Sequence, residues 1–135
     1  MNLTKTSIIA ILLLFTFQTM KSQTYITSNI QTYLVNKKWS IIAGKNKKIS
    51  FLFKDTGKFH LYIDDVEIGT EDYYVASSSE CGNTVLFNNS KIGTTSSGNY
   101  IKTLRECYII EFFTGYQKFR LKRALSTKWQ VYSLD

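Results

Sequence analysis

The sequence has no proline, a single histidine and two cysteines in 135 residues, and each scarcity removes a class of answer. Without proline, no residue is barred from a strand ladder. With His60 alone, neither a histidine-rich metal site nor a Ser/His/Asp order with its supporting glycine motif can be assembled. Cys81 and Cys107 stand too far apart for a CxxC redox or zinc unit. No apolar run approaches the roughly 20 residues that a membrane-spanning helix needs, so stable membrane insertion is not expected.

The apolar run that does occur, Ile8 to Phe15, follows a short start carrying Lys5 and precedes a polar exit through Lys21 and Ser22. This order is that of a secretory signal peptide. The expectation is a signal peptide over residues 1–22, cleaved after Ser22, and a mature domain over residues 23–135. No cysteine follows the run, which argues against a lipoprotein. The mature chain suits one domain with its own core. It is destined for a secreted or periplasmic location, where thiols oxidise and Cys81 can pair only with Cys107.

Lysine and arginine outnumber aspartate and glutamate by 17 to 10. Two of the lysines leave with the signal peptide. The remaining excess, in Lys37 to Lys48 and Lys118 to Lys128, reads as the solvated face of a sheet. On an exported domain such a face suits an anionic surface or an acidic protein better than nucleic acid, which is not expected as a partner. Asp64, Asp65, Glu67, Glu71 and Asp72 lack the calcium-loop pattern and read as a solvated turn. The sequon at Asn88 lies in a loop, where a glycan would be accessible.

Nine phenylalanines and nine tyrosines fall into two patterns. Ile26, Ile30, Tyr33 and Leu34 share one helical face, which predicts a short amphipathic helix within Thr24 to Asn36, with Thr27, Ser28 and Asn29 offering cap oxygens. After Trp39 the period becomes two. Ile49, Phe51 and Phe53, then Phe59, Leu61 and Ile63, alternate about a turn at Asp55 to Gly57, the strongest hairpin signal in the chain. Further strands are predicted at Asp72 to Ala76, Thr84 to Phe87, Cys107 to Phe113, Lys118 to Arg123 and Trp129 to Leu134. Asn88 to Asn99, rich in turn formers, reads as a mobile loop at the rim.

About eight short alternating strands with tight connections predict an all-β fold, a small antiparallel up-and-down β-barrel with a short N-terminal helix. The side chains expected inside are Ile49, Phe51, Phe53, Phe59, Leu61, Ile63, Tyr73, Val75, Tyr108, Ile110, Phe112, Phe119 and Leu121. Buried tyrosines at 73 and 108 would each need a partner for the hydroxyl.

A helix leading into a tryptophan on the first strand, followed by such a barrel, resembles the small lipocalin-like proteins exported by bacteria. The stretch Asn36, Lys37, Lys38, Trp39 stands where lipocalins carry Gly-x-Trp, with Lys37 in place of the glycine. Arg120 and Arg123 are the candidates for the late arginine that packs on that tryptophan. The resemblance implies a barrel that binds a small hydrophobic ligand, or a relative that has lost the role. Candidate ligand-binding residues are then Phe51, Phe53, Phe59, Leu61, Tyr73, Tyr108, Ile110, Phe112 and Phe119. No catalytic residue, cofactor or metal is expected. The alternative is a filled barrel that binds a protein through its surface or loops, as secreted inhibitors and immunity proteins do.

Overall fold

The computed structural model describes residues 24–82 and 85–135; the expected signal peptide lies outside them. Tyr25–Ile26 (β1) precedes a single-turn helix, Ile30–Leu34 (α1). Eight strands follow: Lys38–Ala43 (β2), Lys47–Phe53 (β3), Lys58–Ile63 (β4), Val66–Ala76 (β5), Tyr100–Thr103 (β6), Cys107–Phe113 (β7), Lys118–Arg123 (β8) and Gln130–Leu134 (β9). Each pairs antiparallel with the next, and β9 closes on β2 through Trp39 opposite Leu134 and Ser40 opposite Ser133. The result is a closed, up-and-down, eight-stranded barrel, with a layout compatible with that of the lipocalins.

The strands form where apolar and polar residues alternate, and their register puts the apolar set on one side. Trp39, Phe51 and Leu61 lie abreast on β2, β3 and β4. Phe112, Phe119 and Tyr132 do so on β7, β8 and β9. Asp64 and Asp65 both take positive φ, 49° and 65°, the geometry of a two-residue primed hairpin turn. In the β4–β5 ladder the register shifts after Leu61, leaving Ile68 as a bulge.

One end of the barrel is closed. There α1 buries Ile30 and Leu34 against the core, and the indole of Trp39 donates to the Leu34 carbonyl at 2.9 Å. β1 lies beside β7, opposite Phe112 and Phe113, where β6 has already ended. Asn99 spans that gap: its side-chain amide donates to the Ile110 carbonyl, and its own carbonyl accepts from the Ile110 amide. The helix is shorter than its apolar spacing suggested, because Ile26 is recruited to β1. Asn29 caps it by backbone in the left-handed region, without a side-chain bond.

One strand expectation changes. Residues 85–87 have no regular structure, and the strand between β5 and β7 is instead Tyr100–Thr103. The Asn88 to Asn99 segment is a loop, as its composition predicts, and it is hydrogen-bonded to α1. Gln31 donates to the Thr94 carbonyl and accepts from the Ser96 amide, and the Asn29 amide donates to the Ser97 carbonyl. Gly57 and Gly98 lie so close to Ile92 and to the Ala76 carbonyl that a β-carbon at either position would collide. Composition announces a turn-rich loop but not the surface it rests on.

Candidate functional site

Six of the nine expected ligand-binding residues, Phe53, Phe59, Tyr73, Ile110, Phe112 and Phe119, are buried in one apolar cluster. Phe51 and Tyr108 pack against it half-buried, and Leu61 is half-buried on the same face. The rings occupy one another. Trp39 meets Phe112 and Phe119 edge-on at 5.5 and 4.9 Å, and Phe119 stacks on Tyr132 at 5.3 Å. Tyr132 reaches Phe51 at 5.4 Å, Phe51 reaches Phe59 at 6.0 Å, and Phe53 meets Tyr73 at 5.2 Å. Such centroid spacings are those of aromatic pairs in direct contact. The Tyr73 hydroxyl donates to the Lys54 carbonyl at 2.6 Å, so its polar partner is backbone. Trp39, Ile101 and Tyr132 join this core although absent from the expected interior set. The alternation of Trp129 to Leu134 held the signal for Tyr132.

Packing loosens toward the opposite, open end, where Ile41, Ile49, Leu61 and Tyr108 are half-buried. Gly69 pairs with Leu61 on that face, and a β-carbon added to it would meet nothing within 4 Å. Burial pushes the Tyr108 phenol up, as does Glu106; Arg123 opposes this and Glu71 adds to it.

On the outside, the charged candidates are engaged with one another. Asp65 receives Lys38 at 2.7 Å and Lys48 at 3.2 Å, contacts that hold its carboxyl below the ordinary range. Lys58 meets Asp72 at 3.0 Å, and His60 bonds Glu67. The acidic residues are thus divided between the turn, which holds Asp64 and Asp65, and β5, which holds Glu67, Glu71 and Asp72. Asp65 and Asp72 form ion pairs with lysines, and no group of three metal-ligating side chains occurs among the described residues. Arg120 lies over Tyr25 and Trp129, at 3.7 and 4.0 Å, with Glu111 as its ion-pair partner. The tryptophan it packs on is therefore not Trp39.

The β5–β6 connection makes the less expected feature. From Ser77 it runs as a strap over the outer face of the barrel, where Tyr74 and Lys102 sit opposite each other on β5 and β6. An outward lysine should be solvated, yet Lys102 is only 5 % exposed. Its ammonium donates to the carbonyls of Glu80 and Val85, at 2.5 and 2.7 Å. Tyr74 lies under Phe87 with ring centroids 5.0 Å apart, and its hydroxyl accepts from the Asn88 amide. Lys91 reaches back to Glu80 at 2.5 Å. Cys81 is joined to Cys107, with α-carbons 5.8 Å apart, which ties the strap to the start of β7.

Between the strap, the β6–β7 turn and the β8–β9 loop lies an open groove of about 820 Å³, its floor formed by Lys102, Thr103 and the disulfide. Around it stand Leu86, Leu104 and Leu125, exposed at 86, 74 and 87 %, with Val85 beside them. Arg105, Glu106 and Arg123 complete the lining. A second, smaller cleft of about 450 Å³ separates α1 from the returning loop, with Asn29, Gln31, Thr95 and Ser97 among its walls. None of the nine expected ligand-binding residues lines either opening. Hydrophobic alternation marked the barrel face, but the groove is built from residues of three connections that only the fold brings together.

Among the described residues no helix is long and apolar enough to cross a membrane. Comparison with protein families, with curated proteins and with solved structures found no match to this chain.

Proposed function

We propose that the mature chain is a secreted or periplasmic binding protein without a catalytic role, which recognises another protein through its surface. One observation carries this reading: the aromatic side chains of the barrel are spent on each other, while three leucines stand exposed around a groove outside it. A leucine left in water forgoes roughly 1.5–3 kcal/mol of burial. Grouped exposure of this kind marks interaction sites more than scattered apolar residues do.

The small-ligand reading keeps one observation of its own, the open end. A short apolar molecule would sit there, on Ile41, Ile49, Leu61 and Tyr108, in the space beside Gly69. It would be a shallow site rather than a deep cavity.

The two readings separate in one experiment. The protein is purified from its own host after cross-linking, alongside a Leu104→Asp/Leu125→Asp variant and a Gly69→Leu variant, and each is inspected by native mass spectrometry and lipid extraction. The surface reading expects a protein adduct lost only in the groove variant. A stoichiometric lipid lost only in Gly69→Leu would overturn it in favour of the barrel ligand.

A further inference from the structure

The chemistry of the groove narrows its occupant. Arg105 and Arg123 stand on its rim, one on the β6–β7 turn and one at the end of β8, where Arg123 also lies beside Tyr108. Neither takes part in an ion pair among the described residues. The other cations nearby are already satisfied: Lys102 by two strap carbonyls, Lys122 by the Ser126 carbonyl. Glu106 is the single acid of the lining. The groove therefore offers a mixed floor of Lys102, Thr103 and the disulfide, leucines at its edge and an excess of positive charge held by the two arginines. Arginine is the side chain best shaped to take a carboxylate in two parallel hydrogen bonds.

We propose, building on the surface reading above, that the groove takes a segment of a partner protein in which apolar side chains alternate with carboxylates. The apolar side chains enter between Leu86, Leu104 and Leu125, and the carboxylates meet Arg105 and Arg123. Shape favours such a segment over a membrane. A bilayer surface is flat and is entered by side chains on a convex tip, whereas these leucines border a depression that a protruding chain fills. Single-stranded nucleic acid would need aromatic rings to stack its bases. The one ring at the groove, Phe87, is half-buried against Tyr74.

The test is selection of displayed random peptides on the mature protein, with counter-selection on the Leu104→Asp/Leu125→Asp variant, whose changes fall on exposed side chains. Selected peptides are then titrated against Arg105→Glu/Arg123→Glu. Phosphatidylcholine vesicles with and without phosphatidylglycerol are titrated in parallel, and thermal melts confirm that each variant is folded. The expected result is groove-dependent peptides rich in leucine or isoleucine and in aspartate or glutamate. Their affinity should fall about tenfold or more on charge reversal and should weaken with salt. Groove-dependent peptides of neutral or basic character would overturn the charge assignment and leave the surface reading standing. No groove-dependent peptide would overturn both, and vesicle binding lost in the leucine variant would put a lipid surface in the partner's place.

Discussion

The Trp39 indole and the Leu34 carbonyl, 2.9 Å apart and both buried, tie the closing helix to the first strand of the barrel. In Trp39→Phe the carbonyl loses its donor inside the core, and the smaller ring leaves a gap beside Phe112 and Phe119. The expected loss of stability is about 1–3 kcal/mol from the orphaned acceptor, increased by the void. Urea unfolding measures it. An unchanged midpoint would mean that α1 is held by Ile30 and Leu34 alone.

The Cys81–Cys107 link closes a loop of sequence separation 26, for which chain entropy alone suggests roughly 3 kcal/mol. Replacing both cysteines with serine should lower the melting temperature while the far-ultraviolet β signal persists, because every barrel strand keeps its neighbours. Limited proteolysis should then cut the strap in the variant and spare it in the parent. Equal protection would show that Lys102 and Tyr74 hold the strap without help.

Gly57 and Gly98 test whether the returning loop is as tightly seated as its hydrogen bonds imply. Gly57 combines φ of +92° with a β-carbon position that runs into Ile92 and Gly93, and Gly98 faces the Ala76 carbonyl. Alanine at either place should cost about 1–3 kcal/mol. Gly44, also at positive φ but with nothing within 4 Å, is the control and should lose less. Equal losses at Gly57 and Gly44 would assign the Gly57 effect to backbone conformation rather than to packing, and no loss at Gly98, which is not at positive φ, would show that its approach to Ala76 relaxes freely.

Stability should fall on the alkaline side. Burial pushes the Tyr132 phenol from 10.0 up to about 12, and burial, with Asp55 adding, pushes Tyr73 up as well. Below the unfolded value of 10.0 both states hold these protons and the contribution is complete. As pH rises from there toward 12, the unfolded chain releases them first, the native state binds more protons, and stability declines. Tyr132→Phe should flatten part of that decline, since the hydroxyl has only a long contact with Gln130, 3.4 Å. Urea midpoints across this range decide it; parallel curves for the parent and the variant would refute the assignment.

The barrel was legible in the sequence because alternation writes the inward face directly. Phe53, Phe59, Ile110, Phe112 and Phe119 lie where their period of two puts them. β6 was hidden because four residues, Tyr100–Thr103, are too few to show a period, and its outward Lys102 is as buried as the inward Ile101 and Thr103 on either side of it. The true length of α1 depended on competition for Ile26 by the edge of β7, a long-range pairing with no local mark. The groove was illegible for a related reason. Leu86, Leu104 and Leu125 are isolated apolar residues in three separate connections, each unremarkable until the disulfide brings the strap beside the two turns.

The closure of the barrel also bears on how it is made. The final rungs join Trp39 and Ser40 to Ser133 and Leu134, so the first full-length strand waits for the last one synthesised. Until β9 emerges, the growing sheet has raw edges at β2 and at β8, flanked by aromatic residues that have not yet found their counterparts. Long-range pairings of this kind slow folding, and open edges recruit other chains. Cellular yield should therefore depend on how long nascent chains are shielded before Gln130–Leu134 is complete, more than on the strength of any single contact in the finished core.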